Sequence, residues 1–435
     1  MSEWPEVRIA DHASIDIGGT PSRAIPAFWA EKPSGYPWIS IADLKGKFVS
    51  DTKEHITALG VRSSNVKLIP EGTTVMSFKL SVGRTAITAA EMYCNEAIAI
   101  FQPKDRRLDG RWLYHALPLA AGSVVTDTAV KGATLNKAKM AEMTLRLPSP
   151  AEQTEIAEVL DTLDTAIHET EAIIAKLQAV KQGMLHDLLT RGIDANGELR
   201  PPQTEAPHLY KPSPLGWIPK GWEAHVFGHT IEHIIDFRGR TPKKLGMDWG
   251  GGDILALSAN NVQPGAIDIS REAYVGGERL YRKWMTNGDV RKGDVLLTME
   301  APLGNVAQIP DDARYILSQR VIALRFSAGV VLNDFAFWQM QCHEFQQAIV
   351  RRSTGSTATG IQRAELVKLH FKAPPVQEQS LIADRLASIE HKLEGERLAL
   401  AKQVQQKAGL MDDLLAGRVR VTHLLEEAER AKERA

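Results

Sequence analysis

Cysteine is nearly absent: the 435 residues include only Cys94 and Cys342. Two cysteines cannot build a disulfide scaffold, so the fold must rest on hydrophobic cores, and a reducing cytoplasm suits it. Long apolar runs are missing too. No stretch of 18 apolar residues occurs, which excludes a membrane-spanning helix at the level of sequence. The opening, MSEWPEVRIADH, has no basic start followed by an apolar stretch and does not read as a secretory signal. Net charge is also lacking, with 52 Lys+Arg against 53 Asp+Glu. That balance excludes a simple polycation that coats nucleic acid, but it leaves room for a locally basic groove.

Catalytic signatures are missing as well. There is no G-x-x-x-x-G-K-[ST] phosphate loop and no G-x-G-x-x-G nucleotide loop. The Asn/Asp-Pro-Pro-aromatic tetrad of amino-methyltransferases is absent; the only Pro-Pro pairs are Pro201-Pro202 and Pro374-Pro375. His343-Glu344 begins like a zinc-protease helix but lacks the second histidine. Ser64 and Lys67 fit a Ser-x-x-Lys spacing without any supporting motif. His225, His229 and His233 fall at i, i+4, i+8, which on a helix would share one face. Gly228 and the β-branched neighbours weaken the helix, so ordinary histidines are expected and no metal site.

What the chain does have is apolar content, 43%, enough for two to four folded units at this length. It also reads itself twice. Ile69-Pro-Glu-Gly72 resembles Val290-Arg-Lys-Gly293, and Gly83 then falls on Gly304 without any change of alignment. Further on, one constant offset carries Thr134–Lys137 onto Gly360–Arg363, Glu152-Gln153 onto Glu378-Gln379, and Asp187-Leu-Leu189 onto Asp413-Leu-Leu415. A constant offset over so long a stretch marks a tandem duplication.

Each copy has two textures. Residues 1–147 and 216–373 carry short apolar runs cut by Gly, Pro and Asn, such as Thr73–Phe78, Ala97–Phe101, Asp294–Met299 and Val321–Phe326. These predict short buried strands, with helices around Arg111–Leu119 and Asp334–Ile349. After Pro150 the pattern changes. Ile156, Leu160, Leu163, Ile167, Ile174, Leu177, Met184 and Leu188 keep 3–4 spacings, as do Ile382, Leu386, Ile389, Leu393, Leu400, Leu410 and Leu414 in the second copy. That is a coiled-coil seam, with polar intrusions at Lys181 and Lys407 that would fix register. A stripe on a helix of about 40 residues, roughly 60 Å long, is too long to bury against one globular part, so the two helices are expected to pack antiparallel.

The predicted organisation is α+β. It comprises a globular domain at 1–147, a long helix at 148–192 and a proline-rich linker at 193–215. A second globular domain follows at 216–373, then a second long helix at 374–420 and a charged tail at 421–435. Residues 1–150 carry 18 basic and 15 acidic side chains, whereas residues 151–192 carry 3 basic and 8 acidic. The globular parts are therefore the better phosphate-facing surfaces.

These residues resemble one family, the specificity subunits of type I restriction–modification systems. The resemblance rests on the Gly-x-Thr-Pro loops at 18–21 and 239–242, on Pro214-Leu-Gly-Trp-Ile-Pro-Lys-Gly-Trp222, on the helix starts Pro148–Gln153 and Pro374–Gln379, and on the two Asp-Leu-Leu helix ends. It implies two target-recognition domains joined by antiparallel helices. Each domain would read one half of a split, asymmetric DNA site, and the helix pair would set the spacer. It implies no catalytic centre in this chain and no cofactor of its own. S-adenosylmethionine, ATP and Mg would be held by partners: two modification subunits that methylate adenine at N6, and restriction subunits that translocate and cleave. A cytoplasmic location follows. The competing reading is a structural coiled-coil scaffold whose end domains bind proteins.

Arg and Lys suit guanine edges and phosphates, and Asn and Gln suit adenine. On that chemistry the candidates for DNA contact are Ser22, Arg23, Lys79 and Arg84 in the first copy, and Arg240, Lys243, Asn260, Asn261 and Arg320 in the second. Lys131, Asn136, Arg351, Arg352, Gln362 and Arg363 lie on the loops leading into the long helices and are expected to meet phosphates.

Overall fold

The computed structural model describes residues 4–126, 135–355 and 359–433. The chain divides into two compact units: Met1–Ala172 with Leu398–Ala435, and Ile173–Arg397. One long helix runs Pro150–Thr190 and the other Val376–Leu415. The division cuts each near its middle, at equivalent positions of the duplication.

The first unit is built on a five-stranded sheet in the order Ala13–Ile17, Ile98–Pro103, Thr74–Ser77, Thr85–Thr88, Phe48–Val49. All pairs are antiparallel except the last. Beside it lies a four-stranded sheet of Trp29–Ala30, Glu54–Ile56, Tyr36–Ile39 and Tyr93–Cys94, again with one parallel pair at the end. The second unit repeats the plan. Ile231–Asp236, Val321–Phe326, Val295–Met299 and Leu303–Gln308 form one sheet; Tyr274–Gly276, Ile254–Leu257 and Tyr315–Leu317 form the other, its last pair parallel. The apolar runs Thr74–Ser77 and Val295–Met299 are buried at every residue. This is why they read as continuous rather than alternating.

The expected helices exist. Gly110–Thr126 covers the first, while the second is broken into Asn333–Gln341 and His343–Arg351. The triple histidine does not share a helix: His225 lies on the strand Glu223–Val226, His229 in a 3-10 turn and His233 on the strand Ile231–Asp236. Within the proline-rich stretch, Tyr210–Ser213 pairs with Gly216–Pro219, and Ile193, Tyr210 and Ile218 are buried. The tail forms a helix, Thr422–Glu433, whose Leu424 packs on the core of the first unit. Both cysteines are free and buried, and burial pushes both thiols up, that of Cys342 to about 12.

In each unit the start of one long helix packs beside the end of the other, so the pair runs antiparallel. Ile156, Ala157 and Leu160 share a core with Leu414 and Leu415 in the first unit; Leu185, Leu188 and Leu189 share one with Ile382, Ala383 and Leu386 in the second. The seam lysines are paired: Lys407 with Asp164 in the first unit and Lys181 with Glu390 in the second. Asp164 and Glu390 themselves fall on equivalent positions of the two copies, so one half-buried ion pair occurs in each. A charged pair at a seam disfavours shifted alignments, which would leave each charge facing carbon.

Polar anchors at the helix starts hold the globular parts. The Gln153 side chain donates to Pro148 O at 2.9 Å and accepts from the Asp109 N–H at 2.8 Å. Gln379 does the same with Pro374 O and the Leu332 N–H, both at 2.8 Å. Their neighbours form clamps. Glu378 is buried and accepts from Trp222 Nε1 at 3.0 Å, from the Ile193 N–H at 3.0 Å, and from Arg200. Glu152 accepts from Trp4 Nε1 at 3.2 Å, from the Ser149 backbone N–H at 3.1 Å, and from Arg420. Burial works against the charge of Glu152, but the Arg420 guanidinium and the Ser149 donors hold its carboxyl below the usual range. Each arginine follows the end of the opposite long helix, so a clamp ties the start of one helix to the exit of the other. Gly192 makes the second clamp possible. It has φ +60, and a Cβ there would fall 2.2 Å from Glu378 Oε1.

The first unit adds a charged joint. Asp161 of the long helix receives His115 Nε2 at 2.8 Å, Arg111 Nη2 at 2.6 Å and the Lys47 ammonium. His115, Asp161 and Asp164 form the only His/acid cluster among the described residues with metal-like proximity. Lys47, Arg111 and Lys407 already occupy its carboxylates. Burial lowers the affinity of His115 for a proton despite Asp161. Burial also opposes the Asp161 charge, but Lys47, His115 and Arg111 together hold that carboxyl below its ordinary value.

Both shifts act in one direction. A histidine whose folded pKa lies below 6.5 contributes fully above that pH and loses its contribution as pH falls through the folded value. A depressed carboxylate contributes above its ordinary 3.8 and loses that as pH falls further. Acidification from pH 7 is therefore expected to loosen the first joint in two stages, the first below about pH 6.5. Amide hydrogen exchange of Arg111–Leu117 would show this, and His115→Gln should remove the first stage only. In the second unit Trp338 follows the Gln379-bonded Leu332 by six residues, as His115 follows Asp109, so Asn333–Gln341 serves as the internal control.

Candidate nucleic-acid interface

Loop residues of the first unit converge around the turn that joins Thr74–Ser77 to Thr85–Thr88. The Glu96 carboxylate takes the Thr20 hydroxyl, and that bond, with the nearby charges of Lys79 and Arg23, holds it below its usual range. Arg23 is pre-set. Its guanidinium is gripped by both oxygens of Glu54 and lies 3.9 Å from the Trp29 ring centroid. Ser22 is exposed beside it, its carbonyl accepting from Trp29 Nε1. Lys79 is half-buried and Arg84 exposed, and neither makes an ion pair among the described residues. Leu135 N–H donates to Phe78 O at 3.3 Å, bringing the loop before the long helix to the same place. Asn136 caps the helix Lys137–Glu142, accepting from the Lys139 N–H at 2.8 Å, so its amide shapes that loop. Lys131 lies outside the described residues.

The second unit gathers matching positions. Ile361 N–H donates to Met299 O at 3.0 Å, as Leu135 does to Phe78, and Glu300 bridges Gly360. Arg320 has φ +64 and faces Glu300 at 3.8 Å. Gln362 precedes a short helix at the position of Asn136, but without a side-chain cap bond. Arg352 pairs with Glu365 at 3.1 Å; Arg351, Arg363 and Lys243 are exposed and make no ion pair among the described residues. Three of the candidate arginines thus arrive already paired with a carboxylate, Glu54, Glu300 or Glu365. Such pairing holds a guanidinium in place, and an incoming anion would have to exchange with or share the carboxylate.

Three residues chosen for their chemistry serve their own loops instead. Asn261 is fully buried; it accepts from the Ser258 N–H and hydroxyl and donates to Asp268 O, so no base edge can reach it in this conformation. Arg240 folds back on Trp284 O and on Thr286 Oγ1, half-buried over Phe237. Asn260 is exposed, with one amide hydrogen on Glu272 O. Residue type named the chemistry of these side chains, but burial, which type does not encode, decided which of them face outward. Reading for polar donors also passed over Glu54, which grips Arg23, Glu96, which takes the Thr20 hydroxyl, and Leu80, which stands at the tip of the same turn.

No helix among the described residues is long and apolar enough to cross a membrane. A family model for the type I restriction modification DNA specificity domain matches residues 1–179 and 229–405, the two copies of the duplication. The chain is similar to the type I restriction enzyme MjaVIII specificity subunit of Methanocaldococcus jannaschii, with 23% identity over 97% of this chain and 94% of that one. It is also similar to the EcoBI specificity subunit of Escherichia coli, with 21% identity over 74% and 68% of the two chains. Its fold is like that of the type I restriction-modification S subunit from M. genitalium, with TM-score 0.58 and 13% identity over 95% of this chain and 96% of that one. A chain from a type I R-M system studied for complex assembly and conformational transition superposes with TM-score 0.54 and 14% identity, over 96% and 98%. With a duplicated fold, paired long helices and a family model covering both copies, the chain belongs to the type I restriction modification DNA specificity family, the non-catalytic DNA-recognition component of such systems.

Proposed function

We propose that residues 1–147 and 216–373 each read one half of a bipartite, asymmetric duplex site, and that the helix pair sets the spacer between the halves. The observation that carries this reading is a set of equivalent loops with unlike residues. Lys79 stands where the second copy has Glu300, and Ala97 where it has Arg320. One fold presenting two different chemistries suits two different half-sites. In this reading Arg23, Lys79, Arg84 and Lys243 approach bases or the nearby backbone, while Arg351, Arg352 and Arg363 hold phosphates. The partners are two modification subunits that bring S-adenosylmethionine to adenine N6, and restriction subunits that bring ATP and Mg, all in the cytoplasm.

The test is to purify the chain with its modification subunit and sequence the methylome of cells carrying both. Methylated adenines confined to one bipartite motif are expected; an unmodified genome from an assembled, active complex would overturn the reading. A finer expectation concerns phosphates. Arg351→Ala with Arg352→Ala should weaken binding to all duplexes alike and reduce the slope of log K against log salt by about 2. Fluorescence anisotropy titrations over a range of about 50 to 200 mM salt measure it, and an unaltered slope removes both residues from the phosphate set.

A further inference from the structure

We propose that Leu80 is an apolar wedge that enters the base stack of the half-site read by the first domain; this rests on the DNA reading above. A single exposed leucine is ordinary on a protein surface. Leu80 is not ordinary, for three reasons that meet at one residue. It is 94% exposed, the most of any large apolar residue described. Its backbone has φ +60, a left-handed conformation that disfavours leucine and would suit glycine or asparagine. And it sits in a turn tied by backbone hydrogen bonds of its neighbours. Gly83 N–H donates to Ser77 O at 2.9 Å, Ser77 N–H to Arg84 O at 2.8 Å, Ser81 N–H to Lys79 O at 2.7 Å, and Phe78 N–H to Ala97 O at 3.1 Å.

A rigid tip therefore carries a leucine outward on a backbone that leucine does not favour, between Lys79 and Arg84. Flanking cations would bring phosphates to both sides of the tip, which carries the hydrocarbon of Leu80 with the exposed Ser81 beside it. That arrangement matches a side chain inserted between base pairs, where leaving water and contacting base faces offset the cost of unstacking. The matching tip of the second unit has the same hand, Ala301 with φ +39, but its side chain is too short to part a base step and Glu300 stands beside it. Unstacking by Leu80 is thus assigned to the first half-site.

The experiment uses the complex of the full chain with its modification subunits, and duplexes carrying the methylome-derived motif. In these duplexes 2-aminopurine replaces, one at a time, each adenine other than the methylated ones. With the unaltered chain, fluorescence should rise at one step in one half-site. Leu80→Asn, which accepts the left-handed backbone, should abolish that rise and weaken binding to the motif about tenfold; Leu80→Met should keep the rise. If the unaltered complex prefers the motif to a scrambled duplex without any rise, or if the rise survives Leu80→Asn, the wedge is overturned and the DNA reading stands. If no preference for the motif exists, the DNA reading fails and the wedge fails with it.

Discussion

Replacing Glu378 with alanine is expected to destabilise the second unit by about 3–5 kcal/mol, the cost of breaking a buried charged pair from one side. The carboxylate satisfies three groups at once: the Trp222 indole, the Ile193 N–H and the Arg200 guanidinium. Trp222 is fully buried and Arg200 largely so, and neither gains water when the carboxylate goes. Hydrogen exchange resolved by unit is the suitable readout, because a chain of two units need not unfold in one step. The amides around Trp222 and Phe371 should lose protection while those around Trp112 keep theirs. Arg200→Met combined with Glu378→Gln should recover part of the loss, since both charges are then removed together. A change below about 1 kcal/mol would show that the clamp is incidental to the unit's stability.

The second large effect is on function. Inserting four helical residues after Ala172 and four after Leu398 adds about one turn to each long helix, roughly 6 Å. The two positions are equivalent, so the ion pairs Lys407–Asp164 and Lys181–Glu390 and both clamps remain within their own units. If the helices set the spacer, the methylated motif should keep both half-sites and gain about two base pairs between them, given about 3.4 Å per base pair. An insertion in one helix alone should instead misalign one seam pair and reduce assembly. Methylome sequencing decides both cases, and an unchanged spacer would remove the helices from that role.

The sequence revealed the duplication, the helix pair and the buried strands because their signals are repeated apolar spacings and identical polar residues. Gln153 and Gln379 are the clearest case: same residue, same place in each copy, same bonds. The clamps were half legible. Glu152 and Glu378 align, but Arg200 and Arg420 fall out of step with that alignment and lie in exits of unlike sequence, so no alignment pairs them. The helix stops at Thr190, before the left-handed Gly192, and the prolines at 201, 202, 207, 212, 214 and 219 beyond it did not stop the stretch from packing, because a hairpin edge and a 3-10 turn accept proline. Asn261 and Arg240 show the limit for the interface. Composition named their chemistry, while only the coordinates reveal that both are turned inward.

The crossed origin of the clamps bears on how the chain matures. The second unit is one uninterrupted stretch, Ile173–Arg397, and can close as soon as that stretch leaves the ribosome. The first unit cannot. Glu152 must wait for Arg420, 268 positions later, and Asp164 for Lys407. Translation usually completes a protein from its front. Here the rear half is finished first, and the front half holds an open apolar seam on Ile156 and Leu160 until Leu414, Leu415 and Val421 have been made. A chain stalled before Leu398 would carry a sound second unit and an unfinished first one, and that exposed seam is the kind of surface chaperones bind.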